Sequence, residues 1–433
     1  MYDMESISRH FNDDLMKGRF GIELEGLRVT NTGKLALTPH PNKFNQYPFN
    51  RYITNDFSES QIEMITPCCT SLDQTYNILS KLHDIVDNNL YSREILWNQS
   101  IPCILPEPNK IPIAKFKGNE NSEELINYRN NLLQRYDIKK QLISGVHFNF
   151  SFDNHVLHEL HTQLNPEIKY NEFKNQVYLK IARNYQRYCW LIIYLTGASV
   201  GIHNTFTEES KKLAIVDDEN KGYYNPYACS LRNSTIGYKN IVELYPNYED
   251  VNSFVKDVRE YISKDYISHS KELYSQIRLK PYDLQHPLTS LSNDGINYIE
   301  IRTLDINPFE KSGINKDDLK FLHLFMIYML LLEEENNIKW QEEAIYNENI
   351  VAEAVYCQNT KLIENNKKIN FKKAGLTHLE NLTQLCNEIG YYDENLVANM
   401  IAKIKNPQLT YSQQLISSIK ENGFINTHLN FAS

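Results

Sequence analysis

Glu23 and Glu25 stand one residue apart in Phe20-Gly21-Ile22-Glu23-Leu24-Glu25, behind alternating apolar positions. Side chains of a β-strand point to opposite faces in turn, so Phe20, Ile22 and Leu24 face one way and both carboxylates the other. Their Cα atoms would then lie about 7 Å apart, near enough to hold hard cations together. Without a cation they would only repel. The construction recurs three times. Glu63 opposes Ile62 and Met64, with Asp56 just upstream; His147, Asn149 and Ser151 share one face of Val146 to Phe152; Glu300 and Arg302 oppose Ile299 and Ile301. An antiparallel sheet with one wet face gives the same alternation. A wet face, however, mixes Lys, Thr, Ser and Gln, whereas these four carry mostly Glu, His, Asn and Arg.

Several carboxylates on one surface bind Mg2+ or Mn2+, which take oxygen ligands and keep positions open for phosphate oxygens. Arginines and a lysine nearby would neutralise phosphate charge as it shifts. Two aromatic and basic clusters supply them: Tyr223 to Tyr238, which includes Arg232, and Tyr274, Arg278 and Lys280. The combination points to a nucleotide used as phosphoryl donor. Gly33-Lys34 is followed by Leu35, so the P-loop pattern is missing, and GxGxxG is missing too. With only 15 glycines, cradling of phosphate falls to metal. His155, His158 and His161 fall one residue short of HExxH and read as a solvated helix face.

These strands need a frame. The chain has 433 residues, 41% of them hydrophobic, which is enough for a substantial core. A net charge of -9 does not suit a nucleic-acid surface. Seven scattered cysteines without a CxxC pair read as reduced thiols of a cytosolic protein. No signal peptide is visible in Met1 to Glu5, and the apolar runs Phe321 to Leu332 and Trp190 to Leu195 are too short to span a bilayer. The pattern predicts a short helix in roughly the first 20 residues, then the Glu23 strand running on to Val29. A turn follows at Asn31-Thr32-Gly33, then a helix capped by Ser71. Further helices are predicted over Lys115 to Arg135, Tyr170 to Thr196 and Val251 to Tyr266, and Tyr223 to Tyr238 reads as loop. Beyond Asn307-Pro308 almost everything reads as helix: Asp317 to Glu335, Gln341 to Tyr356, Leu376 to Glu388, Glu394 to Ile404 and Ser412 to Glu421. Nothing marks a domain boundary, so 1–433 reads as a single catalytic domain of α+β class, sheet-based over 1–310 and helical over 311–433.

The blocks Gly21 to Val29, Thr54 to Glu59, Ile62 to Pro67, Ile143 to Ser151 and Tyr298 to Phe309 resemble the motifs of bacterial glutamate–cysteine ligase, in the family's order. Shorter stretches support the likeness: Trp97 to Pro102, Tyr128-Arg129, Arg183-Asn184-Tyr185, Gly197-Ala198-Ser199 and Asn406 to Ser412. The resemblance implies a fold like the catalytic part of glutamine synthetase, a curved antiparallel sheet forming a funnel lined with carboxylates and surrounded by helices. It implies that ATP phosphorylates the γ-carboxylate of L-glutamate and that the amine of L-cysteine attacks the γ-glutamyl phosphate, the first step of glutathione biosynthesis. Two or three Mg2+ or Mn2+ ions would accompany ATP. The protein would act in the cytoplasm as a monomer, with no nucleic-acid or membrane partner.

Carried over by position, Glu23, Glu25, Asp56, Glu63, His147 and Glu300 would be the metal set, with His147 either a ligand or an orienter of a neighbouring acid. Arg302 and Arg232 would serve the reaction. Tyr128, Arg129, Gln141, Arg232, Tyr238 and Tyr274 would contact the amino-acid substrates, and Asn149, Arg278, Lys280 and Arg302 the nucleotide. After Arg278 the basic residues and Pro281 depart from the family's spacing. No ATP-grasp segment is seen after the Leu409-Thr410 block, so the expected product is γ-glutamylcysteine itself. A ligase for another amine, a silent nucleotide- or amino-acid-binding relative, and a glycosidase using paired carboxylates are the competing readings.

Overall fold

Residues 12–116, 122–218, 222–334, 336–391 and 393–432 are described by the computed structural model. Its centre is a seven-stranded antiparallel sheet built on β1 (Gly18–Thr30). The other members are β2 (Ile53–Asn55), β3 (Gln61–Ile65), β4 (Glu94–Trp97), β5 (Val146–Phe152), β9 (Ile277–Lys280) and β10 (Tyr298–Leu304). The order is β2-β3-β1-β5-β10-β9, with β4 pairing the far end of β1. Register decides what shares a face. Glu25 lies opposite Glu63, Glu23 opposite His147, Glu300 opposite Asn149 and Arg278, and Tyr298 opposite Lys280. Directly opposed residues of an antiparallel pair point the same way, so the four patterns read from sequence become one continuous face.

The other face is the core. Phe20 stacks on Phe150, and Phe148 lies parallel to Phe150. Helix Lys316–Leu331, buried almost all round, seats His323 against the rings of both Phe20 and Phe150. Helix Tyr170–Thr196 spans the range its periodicity predicts and is tied to the sheet by Tyr185 Oη donating to Thr303 Oγ1 (2.7 Å) and by Phe152 N–H donating to Tyr178 Oη (3.2 Å). Ser71 caps helix Leu72–Asp87, as expected. The helical C-terminal part joins the same core, with Tyr194 Oη donating to the Lys403 carbonyl (2.8 Å). Among the described residues no helix is long and apolar enough to cross a membrane.

Several expectations shift. Residues 1–11 of the leading helix lie outside the described residues; Asn12–Met16 is a 3-10 turn, and β1 starts at Gly18 because Gly18 pairs with Phe152. Residues 117–121 also lie outside, and helix Ser122–Arg135 follows them. Gly222–Tyr224, expected as loop, is β8 of a small sheet with β6 (Gly201–His203) and β7 (Val216–Asp217). In the C-terminal part, β11 (Lys361–Glu364) and β12 (Lys367–Asn370) form a hairpin whose turn residues Asn365 and Asn366 have φ of 51° and 62°. Asn tolerates that left-handed region, and two such residues in sequence make the type I′ turn that suits hairpin twist. Helix Phe424–Ala432 was also not foreseen.

Candidate active site

The polar face of the sheet lies in a partly open recess. It walls a cavity of about 700 Å3 that Glu23, Glu25, Asp56, Glu63, His147, Glu300 and Arg302 line together. Tyr128, Arg129, Gln141, Arg232, Tyr238, Tyr274, Arg278 and Lys280 line the same space. Asn149 alone of the expected site residues sits off the wall; its Nδ2 donates to Glu23 Oε1 (2.9 Å). Sequence reasoning did not single out Tyr248, Gln186, Lys271 or Asn349, which also line the cavity. None belongs to an alternating strand, so no period in the sequence marks them.

Two poles differ in charge balance. Around Glu300, which is 1% exposed, Lys280 Nζ lies at 2.8 Å, Arg302 Nη1 at 2.7 Å and Arg278 Nη1 at 3.6 Å. Burial resists its ionisation, yet those three cations hold its pKa well below the ordinary carboxylate value. β9 delivers two of them because Arg278 and Lys280 alternate onto one face beside Glu300. At the other pole Glu25, Asp56 and Glu63 crowd together. Burial and the charge of Asp56 push Glu25 up to about 8, and burial with Glu23, Asp56 and Glu25 pushes Glu63 well above its ordinary value. Burial raises Asp56 too, with Arg129 opposing. No Lys, Arg or His among the described residues forms an ion pair with Glu63, and Arg129 approaches Asp56 only at 3.7 Å.

His147 connects the poles. Its Nδ1 is 3.3 Å from Glu23 Oε2 and 3.4 Å from Glu300 Oε1, and its Nε2 is 3.7 Å from Glu25 Oε1. Burial, then Arg302, lower its pKa to about 4, so the ring is neutral near pH 7. With Nδ1–H donating to Glu23, the lone pair of Nε2 faces Glu25, acceptor against acceptor once Glu25 gives up its proton. A divalent cation relieves that contact, as it relieves the three surplus carboxylates, so the donor set fits hard cations. Glu23, His147 and Glu300 alone already offer ligand atoms within 4.8 Å of one another, the one such group among the described residues. His155, His158 and His161 form none; His158 stacks on Tyr170 and His161 Nε2 meets the Ile168 carbonyl.

The cationic and aromatic groups are oriented as well. Arg232 lies against Gly145, where a Cβ would come within 2.2 Å of its Nη2, so only glycine admits it. Among the described residues the Arg232 guanidinium has no hydrogen bond or ion pair, and it lines the cavity. Tyr238 gives its one proton to Gln141 Oε1 (2.6 Å), so in the short contact between Tyr238 and Tyr274 the donor is Tyr274. The Tyr274 oxygen is left as an acceptor and Gln141 Nε2 as a buried donor without a partner.

The sequence profile of the family described as glutamate-cysteine ligase matches residues 4–352. A bifunctional glutathione biosynthesis protein of Clostridium perfringens is 40% identical over 425 residues, covering 97% of this chain and 54% of that protein. The chain thus spans about half the length of such relatives. A glutamate–cysteine ligase of Clostridium acetobutylicum is 35% identical, covering 82% of this chain and 81% of its own. The crystal structure of a glutamate–cysteine ligase from Francisella tularensis in complex with AMP superposes with a TM-score of 0.89 at 28% identity, over 96% of this chain and 87% of that one. The antiparallel sheet and its helical surround are therefore those of a solved ligase. With its acids gathered on one wall and its profile matched along most of its length, this chain belongs to the glutamate–cysteine ligase family.

Proposed function

We propose that the protein joins the γ-carboxylate of L-glutamate to the amine of L-cysteine at the expense of ATP, through γ-glutamyl phosphate. The observation that carries this reading is the meeting of Glu23, Glu25, Asp56, Glu63, His147 and Glu300 in one cavity that also holds Arg302, Arg278 and Lys280. Two or three Mg2+ or Mn2+ ions held by the six would bind the phosphates of ATP and offset their charge. Arg302, Arg278 and Lys280 draw negative charge from the γ-phosphoryl group as its bond to the ADP oxygen breaks and a bond to the glutamate oxygen forms. Arg232 clamps a carboxylate of glutamate so that this oxygen lies in line. The cysteine amine, held beside Tyr128, Tyr238 and Tyr274, then attacks the acyl carbon; phosphate leaves and takes up the proton the amine gives up. Asn149 serves by fixing Glu23, and Arg129, whose Nε donates to the Asp56 carbonyl (3.1 Å), flanks the substrates. One chain supplies every group, so a monomer suffices, with 311–433 acting as part of the same catalytic unit.

Mass spectrometry of the product formed from ATP, Mg2+, L-glutamate and an amino-acid mixture tests the reading. A γ-linked glutamylcysteine is expected, with 2-aminobutyrate and alanine outcompeted; an α-linked peptide, or no glutamyl product, overturns it. The tyrosine relay gives a second test. Tyr274→Phe removes a terminal acceptor and should raise KM for cysteine about tenfold, whereas Tyr238→Phe strands both Tyr274 and Gln141 and should cost about a further tenfold. Unchanged KM values in both variants would remove the amine from this wall.

A further inference from the structure

Asp305 directly follows the last residue of β10, in a sequence block for which the reaction above has no role beyond Arg302. It is 2% exposed. Its Oδ2 accepts from Ala198 N–H (2.8 Å) and Ser199 Oγ (2.7 Å), and its Oδ1 from Ser230 Oγ (3.0 Å) and Asn233 Nδ2 (3.4 Å). Four donors converge on two oxygens, which suits a carboxylate and would leave an amide with a donor facing donors. Burial lifts its pKa above the ordinary value, and Arg232 is the first group opposing that rise.

The grip is passed on to the cavity. Ser199 Oγ, while donating to Asp305, accepts the backbone N–H of Arg232 (3.1 Å), and the Ser199 carbonyl accepts that of Leu231 (2.5 Å). Asn233 Nδ2 also donates to the Thr303 carbonyl (2.9 Å), so the turn Leu231–Asn233 is tied to Ser199 before Arg232 and to β10 after it. No ion pair joins Asp305 to Arg232. The acid works at one remove, by fixing the turn and by placing a buried negative charge behind a guanidinium that has no hydrogen-bond or ion-pair partner among the described residues.

We propose that Asp305 is the positioning residue for Arg232, holding its guanidinium against Gly145 and aimed at the substrate carboxylate. The proposal rests on the ligase reading, in which Arg232 meets glutamate. A double-mutant cycle tests it. Asp305→Asn should lower kcat/KM for L-glutamate by about 10- to 100-fold and leave KM for ATP within about threefold. In an Arg232→Gln background the same change should cost less than about threefold, because the route it acts through is already gone. Losses that simply multiply overturn the proposal. If Asp305→Asn does not fold, Ser199→Ala, which cuts the link and keeps the charge, enters the same cycle with the same two outcomes. A crystal structure of the folded variant gives a readout free of activity. The Arg232 guanidinium is expected to leave Gly145; finding it unmoved overturns the proposal. Absence of γ-glutamyl product from the unmodified protein would instead remove the ligase reading, and the position of Arg232 in that crystal would still decide the role of Asp305.

Discussion

Glu63→Gln is expected to cut turnover on the order of 10³-fold, several kcal/mol of lost charge stabilisation at the transferring group, and at the same time to make the metal-free protein more stable. The two signs share one cause. Glu63 is half-buried beside Glu23, Glu25 and Asp56 with no ion-pair partner among the described residues, so folding holds together acids that repel. Neutralising one should raise stability by about 1–2 kcal/mol, a shift of a few degrees in Tm. The same cluster sets a pH dependence. Glu25 titrates from an ordinary value of 4.5 to about 8 in the folded chain, so across that window the folded state holds the extra proton and stability falls as pH rises. His147, lowered from 6.5 to about 4, contributes the opposite slope below 6.5, so the fall is unopposed only from there to about 8. Thermal melts in chelator should therefore show Tm dropping over that upper range. Saturating Mg2+ or Mn2+, which binds the deprotonated acids, should reverse the trend by about 2.7 kcal/mol at 100 times Kd. A Glu63→Gln protein with full turnover, or with unchanged melting behaviour in chelator, would remove Glu63 from the cation site.

Arg302→Lys is expected to lower kcat about 10²- to 10³-fold, with KM for ATP moving only severalfold. Arg302 Nη1 holds Glu300 at 2.7 Å, and charge from Glu300, Glu25 and Glu23 keeps it protonated in spite of burial. Lysine keeps the charge and loses the planar fork, so it can hold Glu300 or reach the phosphoryl oxygens, not both. On the proposed reading, ground-state nucleotide contacts remain with Arg278 and Lys280. Steady-state kinetics with a coupled ADP assay separate the two parameters; a kcat within about threefold of the parent would deny Arg302 a part in transfer.

The sheet was legible because its period is two and its polar residues are of unusual kind. Glu23, Glu63, His147 and Glu300 each sit in a run whose alternate members are Ile, Leu, Val, Phe or Met, and burial of that apolar side fixes the register that unites them. Their division into a compensated and an uncompensated pole could not be read, since it depends on β9 docking beside β10. Arg278 and Lys280 looked irregular as a linear motif and become regular only as a strand opposite Glu300. Tyr248 was silent for another reason: a cavity wall made by loops and helix flanks leaves no period to detect; Asp305 sits just past the end of β10 and off the wall, where the alternation has stopped. The missed hairpin at Asn365-Asn366 had a signal, two consecutive Asn between Leu362-Ile363 and Ile369, which helical expectation overrode.

β1 meets β3 along one edge and β5 and β4 along the other, and its residues alternate between the acid face and the aromatic core. A slip of one residue would therefore carry Glu23 and Glu25 into the layer of Phe148 and Phe150 and bring the core out into the cavity. On the proposed reading, phosphoryl chemistry and folding are written on one strand and can change only together. On the same reading, the wall of Tyr128, Gln141, Tyr238 and Tyr274 lies off the strands of the sheet and is tied to no strand register, so exchange of those side chains could retarget a ligase to a new amine while the activation of glutamate stays as it is.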